Sequence, residues 1–151
     1  MGTLGGLVAL HTISASVWVG GMVFAHFCLR PAAAAFEPAQ RLPFMAAVLG
    51  RFFRFVWGAI LMLLATGYGI LAVRGFGSFG VYVHVMQATG IIMMLLFAHL
   101  WFAPRRRLEQ AVARRDWPAA AHNLNQIRVI VTINMWLGTF TVLIGAGGRW
   151  L

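Results

Sequence analysis

Apolar residues dominate four long runs, and polar or helix-breaking residues gather between them. The first run extends from about Leu4 to Leu29 and stops at Arg30-Pro31; the second follows Arg51 and Arg54 and continues to Val73. The third spans about Phe79 to Ala103 and is closed by Pro104 and three consecutive arginines, and the fourth runs from Ile127 toward Gly147. About 20 apolar residues suffice to cross a bilayer as a helix. Backbone groups in lipid must pair within their own segment, so each run is expected to be helical. The prediction is an all-α integral membrane four-helix bundle in a single domain over residues 1–151, with spans at about 4–29, 51–73, 79–103 and 127–147. The first run has no basic region before it and is too long for a cleaved signal peptide, so it reads as a true span. Asp116-Trp117-Pro118 has the form of a helix start, with Asp116 as cap, so the last helix is expected to begin before the membrane and run through His122 and Asn125.

Composition supports this reading: 61% of the residues are hydrophobic and only 10% charged. The net charge of +9, carried by twelve arginines and no lysine against three acidic residues, would suggest nucleic acid in a soluble protein. The arginines instead avoid the apolar runs. Ten of the twelve flank the first and third connections, and only Arg74 and Arg149 lie at the other end. That asymmetry is a positive-inside signal. It predicts a multi-pass protein of the bacterial inner (cytoplasmic) membrane with both termini periplasmic, a lipid bilayer as partner and no nucleic acid. The single Cys28 excludes an internal disulfide, and no C-x-x-C-H for covalent haem attachment occurs.

Four of the five histidines fall inside spans, where ionisable groups are costly and point to function. His11 and His26 are 15 residues apart in the first span, as are His84 and His99 in the third, and the two pairs are offset by 73 residues. The same offset aligns Phe24-Ala25-His26 with Phe97-Ala98-His99, Ala15 with Ala88, and Pro31 with Pro104. The pattern reads as a tandem repeat of two two-helix units, of the parallel kind. Fifteen residues of helix separate the imidazoles by about 22 Å and by about 60° in direction, so both can face one seam. Spans one and three run the same way, so His11 can meet His84 at one depth and His26 can meet His99 at the other. Two such clamps suit two b-type haems per chain, each with two axial nitrogens.

The ligand pattern resembles the transmembrane cytochrome b of respiratory complexes, where two helices carry two histidines each and hold two stacked haems; the spacing there is a residue or two shorter. Gly20 and Gly21 between the first pair, and Gly90 between the second, would let a macrocycle or a helix approach the backbone. A second resemblance rests on Leu10-His11, Trp18, Gly20-Gly21 and Phe24, which look like the first helix of CopD-like membrane proteins. That superfamily includes the integral domain of copper-resistance protein D and the HemJ-type protoporphyrinogen oxidases. The resemblance implies copper handling or haem binding in a four-helix protein. HemJ-type enzymes rely on a lysine in the third-helix region, and this chain contains none.

A lone intramembrane histidine ordinarily makes a structural hydrogen bond, whereas four in a repeated pattern favour ligation. His122, in a polar stretch, reads as solvated. Copper stays open as the alternative to haem, since imidazole and thioether both bind it and the chain has eight methionines. Met93 and Met94 nevertheless read as packing. Arg51, Arg54, Arg74 and Arg149 near span ends suit lipid head groups or haem propionates. Thr12, Ser14, Ser16 and Gln87 are the expected acceptors that would set the histidine tautomers. The leading expectation is a dihaem electron carrier serving quinone, superoxide or a soluble redox protein; a homo-oligomer is compatible with it. A copper-handling protein or transporter and a HemJ-like oxidase are the alternatives.

Overall fold

The computed structural model describes residues 2–75 and 80–148. Helix α1 (Thr3–Phe24) passes through a π-helical turn (Ala25–Leu29) into the short α2 (Arg30–Ala33). Then follow α3 (Pro38–Arg74), α4 (Val81–Phe102), α5 (Pro104–Ala113) and α6 (Trp117–Gly147). Among the described residues there is no strand. Four of these segments, Thr3–Ala33, Pro38–Arg74, Val81–Ala113 and Trp117–Gly147, are long and apolar enough to cross a membrane. The chain is therefore an all-helical, multi-pass membrane protein whose environment is a lipid bilayer.

The helix ends have local causes. Proline in the first turn starts α3, α5 and α6, where its missing N–H would have no partner. Asp116 caps α6 as expected, its carboxylate accepting from the Ala119 N–H at 3.1 Å. Gly75, at φ 87°, ends α3.

Two helices are longer than the spans read from hydropathy. The second was expected to start near residue 51, but α3 begins at Pro38, so Arg51 and Arg54 lie within a continuous helix. At 1.5 Å per residue the 37 residues of α3 extend about 55 Å and the 31 of α6 about 46 Å. A bilayer core is about 30 Å thick. Both helices therefore project beyond it at the arginine-rich end, where α5, absent from the sequence reading, packs against them. Leu42 and Leu49 of α3, Leu108 of α5, and Ala120 and Ile127 of α6 are buried in this extension. It has an apolar core of its own.

Within the spans, α1 packs along α3 and α4 along α6, and α1 also packs on α6. Apolar burial drives helix association weakly in lipid, so close packing and interhelical hydrogen bonds carry it. Phe97 of α4 sits at the centre. Its ring meets Trp18 of α1 at 6.1 Å, and Phe53 and Trp57 of α3 at 5.6 and 5.4 Å, all edge-on. One turn away, three helices converge at Gly138 of α6, where an added Cβ would lie 2.7 Å from Val19 and 3.0 Å from Met93. Asn134 donates to the Met93 carbonyl at 3.1 Å and Thr141 to Thr89 at 2.7 Å, tying α6 to α4.

Candidate functional site

A stripe of inward positions runs from His11 through Ser14, Trp18 and Met22 of α1 to His26 in the π-helical turn. Ser14, Trp18 and Met22 are buried, and the two histidines at its ends are half-buried. Each histidine reaches a threonine on a different neighbouring helix.

His11 Nδ1 lies 2.9 Å from Thr66 Oγ1 of α3. The Thr66 hydroxyl donates to the Met62 carbonyl at 2.6 Å, so its oxygen is left to accept from Nδ1–H. In that tautomer the lone pair is on Nε2. Gly67 gives the ring its seat, since a Cβ there would stand 3.3 Å from His11 Cε1. His26 repeats the arrangement: Nδ1 lies 3.2 Å from Thr132 Oγ1 of α6, and Thr132 donates to the Arg128 carbonyl at 2.8 Å. The His26 ring also packs edge-on against Phe27 at 4.7 Å.

These threonines replace the acceptors expected from sequence. Thr12 and Ser14 instead donate to carbonyls one turn back in their own helix, and Gln87 donates to the Tyr68 hydroxyl at 3.2 Å. Helical hydroxyls far from a carboxylate commonly satisfy themselves in this way. Thr66 and Thr132 escaped notice as isolated hydroxyls in apolar runs. One signal existed: the 73-residue offset that pairs the histidines also pairs Met62 with Met135 and Thr66 with Thr139.

His84 and His99 stand elsewhere. Both are exposed on α4, on one outward face with Val81, Ala88, Ile91, Leu95 and Phe102. The fold turns His11 toward α3 and His26 toward α6, so it does not by itself bring His11 to His84 or His26 to His99. Among the described residues no three or more His, Cys, Asp or Glu side chains gather as a metal site. His122 is exposed and lies 3.0 Å from the Gln126 amide.

The glycines divide. At Gly21 a Cβ would lie 2.6 Å from Phe52 Cζ, so the close neighbour it admits is an aromatic ring of α3. Gly20 and Gly90 have nothing within 4 Å of a built Cβ. Arg51 and Arg54 border a shallow groove of about 290 Å³ with Trp101, Arg105 and Glu109. There the Arg105 guanidinium lies 3.9 Å over the Trp101 ring and 3.1 Å from Glu109. Arg74 occupies the last turn of α3, and Arg149 lies outside the described residues. Met93 is buried against Gly138, consistent with a packing role.

A larger cavity of about 330 Å³ opens at the arginine-rich end, between the π-turn with α2, the start of α3 and the outer half of α6. His26, Arg30, Arg41 and Arg128 line it together with apolar side chains.

The family model for copper resistance protein D matches residues 46–147, about two thirds of the chain. The matched part contains α4 with His84 and His99, and the threonines Thr66 and Thr132; it begins after α1 and so leaves out His11 and His26. No curated protein and no solved structure matches the chain.

Proposed function

The chain belongs to the copper resistance protein D family, and from that premise we propose that it handles copper within the membrane, with His11 as its inward-facing metal-binding group. The observation that carries this reading is the Thr66 contact. A neutral imidazole whose Nδ1–H is held at 2.9 Å presents Nε2 in a fixed direction, the usual arrangement of a metal-ligating histidine and its supporting acceptor. Imidazole and thioether are the donors that suit copper. Copper here is cargo. His84, near the same end of the bundle on the outer face of α4, supplies a second imidazole accessible from outside the chain. His11 lies in the half of the bundle away from the clustered arginines, whose positive charge opposes a metal cation. We further propose that the arginine-rich end is cytoplasmic, on the ten-to-two distribution of arginines.

The test is cuprous-ion binding by the purified full-length protein in detergent, read by competition with a chromophoric chelator. His11→Ala is expected to remove the tightest site while helicity by circular dichroism is unchanged. Unaltered affinity in that variant overturns the assignment.

A second reading is a dihaem b-type cytochrome passing electrons to quinone, superoxide or a soluble carrier. It is favoured by the Nδ1 contacts of both His11 and His26 with threonines of neighbouring helices, at positions separated by about 22 Å of helical rise. Within one chain the fit is incomplete, because His84 and His99 face outward and each depth offers a single inward imidazole. A haem at either depth needs its second axial nitrogen from a histidine face such as that of α4 in another copy. A dithionite-reduced spectrum of the same preparation decides between the readings: a sharp α-band with stoichiometric haem supports the second and displaces the first.

A further inference from the structure

The cavity at the arginine-rich end carries charge that the protein does not neutralise. Arg30 from α2, Arg41 from α3 and Arg128 from α6 converge on it from three separate helices. The chain has three acidic residues in all. Glu109 pairs with Arg105, Asp116 caps α6, and Glu37 precedes α3. None of the three is among the residues that line the cavity, and guanidinium groups gathered without a counter-charge repel one another.

The π-turn is what brings the first of them in. One residue beyond α-helical register over Ala25–Leu29 turns the following chain by about 100°, which places Arg30 and Ala33 on the cavity wall. The remaining lining is mostly apolar: Leu42, Met45 and Leu49 on α3, and Ile127 and Val131 on α6. The volume of about 330 Å³ corresponds to roughly ten water molecules of liquid. A metal cation is disfavoured by the charge, and a small hydrophilic anion leaves the apolar wall unused. Guanidinium forks match phosphate oxygens bidentately, and the apolar wall leads from them into the spans.

We propose that this cavity binds a phosphate-bearing amphiphile, an anionic phospholipid whose phosphate oxygens are held by Arg30, Arg41 and Arg128 and whose acyl chain lies along Leu49 and Val131. The site is separate from His11 and does not depend on the copper reading.

Delipidated full-length protein in detergent is titrated with phosphatidylglycerol, with phosphatidylcholine and with inorganic phosphate, and retention is read by native mass spectrometry alongside thermal unfolding. Phosphatidylglycerol is expected to be retained and to raise the midpoint, and phosphatidylcholine to do neither. The double variant Arg41→Gln, Arg128→Gln should lose phosphatidylglycerol by roughly tenfold or more, whereas Arg107→Gln, Arg114→Gln, which removes equal charge from exposed positions, should not. Competition by inorganic phosphate at similar concentration keeps the phosphate site but assigns it to a soluble phosphate. Equal retention of both lipids by the unaltered protein, or equal loss in the two double variants, overturns the proposal.

Discussion

The His11 imidazole and the Thr66 hydroxyl form one unit across two helices, 2.9 Å apart, with the threonine anchored in turn to the Met62 carbonyl. Seventy-three residues downstream stand His84 and Thr139. Thr139 donates to Met135 at 2.8 Å as Thr66 does to Met62, yet His84 lies on the outer face of α4. The two positions related by the 73-residue offset thus keep the same threonine anchor, while the histidines at that offset are placed differently.

Thr66→Val removes the acceptor while preserving shape. Copper affinity at His11 should fall by about 10- to 100-fold, the usual effect of losing such a supporting contact. Thr66→Ser should restore most of it. Chelator competition on the three proteins checks this, and equal affinities would detach Thr66 from the site.

Gly138→Ala places a methyl group 2.7 Å from Val19 and 3.0 Å from Met93, in a space that α1, α4 and α6 share. Overpacking of this kind costs about 1–3 kcal/mol. A lowered unfolding midpoint in detergent is expected, while Gly20→Ala, with nothing within 4 Å, should leave it unchanged or raise it through helix propensity.

Phe97→Ala deletes the ring that touches Trp18, Phe53 and Trp57. Truncating a buried aromatic costs about 3–5 kcal/mol in soluble cores. Weaker apolar driving force in lipid trims that figure, but the edge-on contacts, at about 0.5–1.5 kcal/mol each, are lost all the same. Phe97→Leu should recover part of the loss in the same melting experiment.

Orientation is open to chemical labelling. In a Cys28→Ser background, Arg114→Cys puts the only thiol at an exposed position between α5 and α6. A membrane-impermeant maleimide should label it only after the cells are opened. Labelling in intact spheroplasts would place the arginine-rich end outside.

Much of this architecture was legible from hydropathy, because an apolar run long enough to span a bilayer has few alternatives to a helix. Asp116 was legible for a similar reason: a capping carboxylate before a first-turn proline is a local signal. The extension at the arginine end was not. Leu42, Met45 and Leu49 recur at helical spacing, but Pro43 among them and Arg41 and Arg51 on either side broke the apolar run that marked the spans. α5 carries three arginines and one glutamate in ten residues, and only contact with α3 and α6 shows that Leu108 and Ala111 are core positions. The histidines were found as residues but not as a constellation. Spacing along a helix fixes which positions share a face, and it leaves open which neighbour that face meets; here α1 turns His11 and His26 to two different helices.

The overlong α3 and α6 also bear on how deep the histidines sit. On one side of the bilayer the protein carries a packed, cationic mass that hydrocarbon excludes; on the other, α6 ends at Gly147. That mass sets the vertical position from its own side, as a flange sets a pin. Shortening the extension would leave the His11–Thr66 contact intact and yet let His11 ride to a different level, changing what can reach it from the far face.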